Sequence, residues 1–370
     1  MINANSVSDR LYRLVLRGSS RERGCQHGRL LAEPIGVAID FYHQLFRRHL
    51  GIDVTEIRRR AGRYVDPLAE ACPAVLEEME GIAEGARQEL YDIVTLTVRY
   101  EITFEHLQLG ECSNIFVGPQ RTNNGHTLLG MNWEWRPEVM AFRAVIMAHC
   151  DDQPDHLVVT ECGQPGKYGL NEYGIVAIET GLGCSSNRSI GRVPFAALIR
   201  QALMSTNLDH ARAAIHDNPP EATINFFVAD DLGHGWCLEA TPSGVFERAL
   251  QPEDVYWHTN HCRLVDEACA MEDSLIRGER WKRLVSPPDL IDRKQVGQWL
   301  ADTENGDNAI CKVLNPALSD KTTWLETLTS IVLNADTREI WVSDGPSAQQ
   351  PYERFCLYEP FEDNQQETAP

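Results

Sequence analysis

Before Cys112 the apolar residues recur mostly at helical spacing. In CPAVLEEMEGIAEGARQEL, residues 72–90, Val75, Met79, Ile82, Ala83 and Ala86 share one face, acidic residues take the other, and Pro73 fits a first helical turn, where its missing N–H is not needed. After Cys112 the texture changes to short β-branched and aromatic runs: SNIFVG, HTLLGMNW, RAVIMAHC, HLVVTEC, GIVAIET, INFFVAD, GWCLEAT, VYWHTNH, LTSIVLN and EIWVSD. These predict a mainly antiparallel sheet. Asn124-Gly125 favours a type I′ hairpin turn, so the strand after Cys112 is expected to fold back as HTLLGMNW and bring Asn132 to Glu134 beside Cys112. Between the strands, VPFAALIRQALMSTNLDHARAAI predicts two helices. Pro194 opens the first, which presents Phe195, Leu198, Ile199, Ala202 and Leu203, and Thr206-x-x-Asp209 serves as a capping box for the second. The polar tail EDNQQETAP is expected to fray. No internal repeat, low-complexity block or long linker divides the chain.

At 370 residues and 43% hydrophobic content the chain can bury a large core. A formal charge of −20 argues against a nucleic-acid surface, which needs clustered Lys and Arg to displace counterions. The N-terminal residues carry no apolar signal segment, and no stretch reaches the ~18 apolar residues of a membrane span, so a cytosolic protein with no membrane partner is expected. The 11 cysteines are scattered without a CxxC pair, which fits neither a disulfide framework nor a zinc ribbon.

Cys112 lies in the stretch ECSNIFVGPQRTNNGHTLLGMNWEW. A cysteine beside small polar residues at the head of a strand can attack a carbonyl if one group takes its proton and another holds the oxyanion. Cutting the peptide bond before it would supply the base, because the new α-amine, with an ordinary pKa near ~8, lies on the nucleophile's own residue. The alternative is a small buried hydrophobe without chemistry.

This stretch resembles the start of the mature chain in the penicillin acyltransferase-like branch of the N-terminal-nucleophile (Ntn) hydrolases, peptidase family C45. Other segments are similar in the same order: RGSSRERGCQHGRLLAEPI and CPAVLEEMEGIAEGARQELYDIVTLTVRYE upstream, then GLNEYGIVAIETGL, GRVPFAALIRQAL, VYWHTNHC and LTSIVLNADTREIWVSDGP downstream. The resemblance implies an α+β fold, the four-layer αββα sandwich of two mainly antiparallel sheets covered by helices. It implies that residues 1–111 are a helical pro-region or α-chain and residues 112–370 the catalytic β-chain, folded as one unit. It further implies self-cleavage between Glu111 and Cys112, then hydrolysis or transfer of an acyl group from a small amide or thioester through a Cys112 acyl-enzyme, with the cleaved α-chain as partner. No cofactor or metal is implied, and oligomerisation stays open.

By position, Cys112 falls on the family's nucleophile, Glu134 on its acidic residue and Asn260 on an oxyanion-hole side chain. Two positions differ. Glu111 stands where Gly, which tolerates the strained backbone of an N-to-S acyl shift, is common, and Glu134 stands where Asp is common, extending the carboxylate by one methylene. In relatives the strand carrying Thr327 and Thr329 lines the site, and either could bond substrate. The class includes penicillin acyl transfer and hydrolysis of β-alanyl amines such as carcinine and β-alanyl-dopamine. The acidic charge hints faintly at cationic amines.

In HTNHC, strand alternation puts His258, Asn260 and Cys262 on one face and His261 on the other, against a four-ligand zinc site. For Asn260 a purely structural amide remains the alternative. Trp133 and Trp135 divide between substrate pocket and core, and with Thr327 they are the substrate-binding candidates. His27 reads as a structural helix-end residue. GxSxG and HExxH are absent, so serine-elbow and zincin chemistry lack support. Two further readings stay open: a non-maturing binding protein of the same fold, and an unprocessed thiol hydrolase using His258 or His261 as base.

Overall fold

The computed structural model describes residues 11–104, 112–183, 192–241, 244–266, 271–286, 290–314 and 325–361. Glu111 and the tail EDNQQETAP lie outside the described residues. From the N-terminus, β1 (Tyr12–Gly18) leads into α1 (Ser20–Leu30), α2 (Ala32–Leu50), α3 (Val54–Gly62), α4 (Val65–Ala71), α5 (Pro73–Ala86), α6 (Leu90–Thr97) and α7 (Arg99–Phe104). Past Cys112 come β2 (Ser113–Val117), β3 (Leu128–Trp135), β4 (Arg143–Cys150), β5 (His156–Glu161), β6 (Tyr168–Asn171) and β7 (Val176–Gly181), then α8 (Phe195–Ala202) and α9 (Leu208–His216). The chain continues through β8 (Ile224–Ala229), β9 (Gly235–Thr241), β10 (Gly244–Leu250), β11 (Val255–His258), α10 (Glu272–Leu284), α11 (Arg293–Leu300), β12 (Glu326–Asn334), β13 (Glu339–Ser343) and β14 (Tyr352–Cys356).

The strands form an eight-stranded sheet in the order β1-β4-β5-β6-β7-β8-β9-β10 and a six-stranded sheet in the order β11-β2-β3-β12-β13-β14. Helices α8 and α9 lie on the larger sheet, α10 packs on β11, and α11 packs on β3 and β12, which gives four layers, α, β, β and α. Alternation along the strands builds the two cores. Leu129, Met131, Trp133 and Trp135 of β3 enter the large cluster with Val145, Val158, Ile178 and Phe226 of the opposite sheet, whereas Leu128 joins Ile115, Trp281, Val296 and Leu300 under α10 and α11. Rings meet between the sheets, with Phe227 on Tyr256 at 6.0 Å and Trp133 on Tyr168 at 5.7 Å. No helix among the described residues is long and apolar enough to cross a membrane.

Three details differ from the sequence expectations. Residues Tyr12–Gly18, in the region expected to be mostly helical, form β1, which runs parallel to β4 and buries Leu14 and Leu16. Strand β2 does fold back on β3, pairing Ser113 with Asn132 and Val117 with Leu128. The connection is not a type I′ turn, because that turn needs positive φ at both central residues and only Gly125, at +73°, has it; a short 3₁₀ turn at Pro119–Arg121 lengthens the link. Helix α9 is capped by Asn207 rather than Thr206, since the Asn207 side chain accepts the His210 N–H at 2.9 Å.

In the N-terminal part, the Ser19 side chain and Glu22 form a capping box at the start of α1, and α1 packs closely on α5 through glycines. A Cβ on Gly24 would lie 2.2 Å from the Glu78 carbonyl oxygen, one on Gly28 2.2 Å from that of Ile82, and one on Gly81 2.3 Å from that of Arg21. These backbones touch, so the glycine spacing records helix contact.

Alanine normally favours a helix interior over glycine by ~1 kcal/mol. Gly24→Ala is expected to reverse that sign and lose ~1–3 kcal/mol through overpacking, while Gly36→Ala in α2, whose Cβ would meet only the Gln88 side chain at 3.9 Å, follows the ordinary rule. Denaturant midpoints check this; a more stable Gly24→Ala protein would contradict the close contact.

Candidate active site

Cys112 stands at the head of β2 with both of its peptide groups held. Its N–H donates to Asn260 Oδ1 at 3.0 Å, and its carbonyl accepts from Arg277 Nη1 of α10 at 2.7 Å. Arg277 Nη2 also donates to Asn260 Oδ1 at 2.6 Å and to Asp273 Oδ2 at 2.9 Å. Asn260 Nδ2 donates to the Gly181 carbonyl at the end of β7 at 2.7 Å, and the Asn260 N–H to Ser274 Oγ at 2.7 Å. Two donors facing one atom and a carbonyl facing the other fix the orientation of this amide.

The sulfur belongs to a small cavity of ≈ 20 Å³, space for about one water molecule. Its walls are aromatic and ionic: Tyr100, Trp133, Trp135, Tyr168 and Phe195 with Arg99, Glu134, Lys167 and Glu179. Trp133 and Trp135, two apart on β3, line it together, so they do not divide between pocket and core as expected. Burial pushes the Cys112 thiol well above the ordinary cysteine range and the Glu134 and Glu179 carboxylates push it further, while Lys167 and the Glu134 backbone amide pull it back. The balance holds Cys112 towards its neutral thiol.

Glu134 is buried beside it. Strand β12 bulges between Thr327 and Thr329, which sit opposite Glu134 and Trp133, and a bulge turns the two threonines to different faces. Thr327 Oγ1 therefore donates to Glu134 Oε1 at 2.9 Å, and Thr329 Oγ1 donates to the Ser343 carbonyl at 2.7 Å. Thr327 acts on Glu134 and is not among the cavity walls. Burial raises the Glu134 carboxyl to about 8, against the pull of Arg277 and Thr327. Its Oε2 is buried with no hydrogen-bond partner among the described residues.

The histidines of HTNHC are placed elsewhere. Strand β11 ends at His258, so the alternation expected through Cys262 does not continue. His258 is fully buried, with Nδ1 2.5 Å from the Thr259 carbonyl and Nε2 2.9 Å from Glu239 Oε1. His261 Nδ1 meets Thr259 Oγ1 and Ser274 Oγ, and burial lowers its pKa to about 4. Neither ring lines the cavity. His27 accepts the Gly163 N–H at 3.0 Å deep in the protein, a structural contact. Among the described residues no group of three or more His, Cys, Asp or Glu side chains is placed to hold a metal.

Sequence reasoning missed Arg277, Lys167 and Glu179. The only local sign of Arg277 is the spacing Asp273-x-x-x-Arg277, which pairs charges on any helix. Nothing in it points to Cys112, 165 residues away.

A curated relative, the acyl-coenzyme A:6-aminopenicillanic-acid-acyltransferase 40 kDa form of Emericella nidulans, is 26% identical over 347 residues, 92% of this chain and 94% of its own. Among solved structures, a mutant conjugated bile acid hydrolase from Clostridium perfringens aligns with a TM-score of 0.47 at 12% identity, over 68% of this chain and 93% of that one. Penicillin V acylase from Agrobacterium tumefaciens aligns with a TM-score of 0.42 at 12% identity, over 67% and 86%. Residues 120–348, more than half of the chain, match the family model of acyl-coenzyme A:6-aminopenicillanic acid acyl-transferase. The chain belongs to that family, and it is an enzyme of acyl transfer or amide hydrolysis.

Proposed function

We propose that this protein is a self-cleaving cysteine acylase or acyltransferase that cuts its own Glu111–Cys112 bond and then carries the acyl group of a small amide on the Cys112 sulfur. The observation that carries this reading is the clasp on Cys112: its N–H rests on Asn260 Oδ1 at 3.0 Å while the residue shares a small cavity with a buried carboxyl that has an unused oxygen. The cut turns that N–H into an α-amine, for which Asn260 Oδ1 and Glu134 Oε2 are ready acceptors.

The α-amine takes the thiol proton, and the sulfur attacks the amide carbonyl. The oxyanion is held by a backbone N–H and the Asn260 carboxamide, which exchanges its contact with the Gly181 carbonyl for the new charge. Collapse breaks the C–N bond, and the α-ammonium returns its proton to the leaving amine. Water or a second amine then releases the acyl group from sulfur. Trp133 and Trp135 wall the ≈ 20 Å³ cavity, which must widen for an acyl group to lie against them, Thr327 orients Glu134, and Arg277 orients Cys112 and Asn260. Residues 1–111 remain as an α-chain beside 112–370; the pairing of β1 with β4 and the contact of Arg99 Nη2 with Glu161 at 2.5 Å support this. Acyl-coenzyme A donors with 6-aminopenicillanic acid are the first substrates to test, because the family description names them.

Wild-type protein is expected to separate on denaturation into two pieces divided before Cys112, and Cys112→Ala to stay one folded, inactive chain. Intact-mass measurement with an activity assay checks both. Normal fragments from Cys112→Ala would place the cut elsewhere and contradict the proposal.

The uncut Cys112→Ala chain should also show the Glu134 titration in its stability. Glu134 ionises near 4.5 when unfolded and near about 8 when folded, so its buried neutral form contributes stability fully below pH 4.5, and the contribution is lost as pH rises through about 8. Adding Glu134→Gln is expected to flatten the fall in denaturant midpoint over that window. Glu101, raised by burial to about 8 as well, leaves part of the slope behind. An unchanged slope would mean that Glu134 ionises normally.

A further inference from the structure

Two buried ions share the cavity with Cys112, and the reaction just described uses neither. Lys167 lies just before β6 and is 4% exposed; its Nζ is 3.4 Å from Glu179 Oε1 of β7 and lies over the rings of Trp133 at 4.4 Å and Tyr168 at 4.5 Å. The Tyr168 hydroxyl donates to the same Glu179 oxygen at 2.9 Å. Desolvating such a pair costs about as much as its attraction returns, so apolar replacements often do as well or better for stability. Its position next to a nucleophile suggests another use.

We propose that Lys167 is the internal counter-ion of the Cys112 thiolate, aimed into the cavity by Glu179 and by the faces of Trp133 and Tyr168. The proposal rests on Cys112 being the nucleophile. Lys167 moves no proton in it: the thiol proton passes to the α-amine, and the ammonium offsets the negative charge left on sulfur. Lys167 is a positioning residue that acts through that sulfur. While the thiol is neutral, Glu179 balances the ammonium.

The other charges around the pair leave this role to Lys167. Burial, Glu134 and Glu179 all disfavour the thiolate, and Lys167 is the cavity cation that favours it. Arg99 also lines the cavity, but its guanidinium is engaged by the Tyr42 hydroxyl, the Leu96 carbonyl and Glu161. Around Lys167 itself, burial and Arg99 lower the pKa below the ordinary lysine range, while Glu179, Glu161 and Cys112 hold it up.

The test is the pH dependence of Cys112 alkylation by iodoacetamide, in which the thiolate forms an S–C bond and displaces iodide. The rate is followed at the Cys112 peptide by mass spectrometry, on the folded protein as purified. Lys167→Met, which keeps the apolar stem, is expected to move the limb to higher pH by about one unit or more, so that about 10-fold less thiolate is present on the rising limb. Lys167→Arg keeps the charge and is expected to hold the limb in place. Glu179→Gln removes the opposing anion and is expected to move it down. A packing defect would not reverse sign between Lys167→Met and Glu179→Gln, so a limb unmoved in Lys167→Met, or moved the same way in both, overturns the proposal. If Lys167→Met does not fold, Lys167→Gln takes its place: an upward shift supports the counter-ion, and an unmoved or downward limb overturns it. Failure of the acyl-enzyme reading looks different, as turnover that survives Cys112→Ala.

Discussion

One carboxamide joins the parts of this protein that the site needs. Asn260 accepts hydrogens from Cys112 and Arg277 through one oxygen and gives a hydrogen to Gly181 through its nitrogen. Those three contacts tie the first residue before β2, the middle of α10 and the end of β7, and so bridge both sheets and one outer helix layer. A buried amide with these partners has no cheap alternative, because each lost bond leaves a desolvated polar group behind. Where Cys112 sits is therefore set by the closure of the whole sandwich. The β12 bulge completes the geometry by turning Thr327 onto Glu134.

Burial then sets the resting state. The thiol and the Glu134 carboxyl are both driven towards their neutral forms by desolvation, which is the expected response of acids removed from water. In the proposed reaction, cutting the chain changes this by placing an amine between them. A neutral, tightly packed precursor becomes a site with a cation at the nucleophile's own backbone. Lys167 would supply a second fixed positive charge in the same cavity, paired in advance with Glu179 so that the cavity carries little net field before the thiol ionises.

Much of the fold was legible because it depends on short-range pattern. Pro73 and Pro194 do open α5 and α8, and the runs after Cys112 are strands. The pairing of β2 with β3 was expected from Asn124-Gly125 and is present, although the link is not the two-residue turn on which that expectation rested, because Asn124-Gly125 can turn a chain without making a type I′ hairpin. Strand β1 was missed since a lone seven-residue run among helices carries no sign of a partner at β4. At the site, Trp133, Glu134 and Trp135 were named from their closeness to Cys112 in sequence and Asn260 from the family resemblance, and the structure brings all four near Cys112. Arg277, Lys167 and Glu179 were not named, because ordinary charged residues gain their meaning only when folding buries them beside Cys112. The glycines of α1 and α5 likewise gain their meaning only from the contact of two backbones.

The most direct test of the central claim is to catch the acyl group on the chain. An activated phenylacetyl ester mixed with the protein and quenched in acid during turnover is predicted to add one phenylacetyl mass to the fragment that begins at Cys112. The mass should map to Cys112 itself and be removed by hydroxylamine, as a thioester requires. An acyl group that maps to any other residue during turnover would contradict the account.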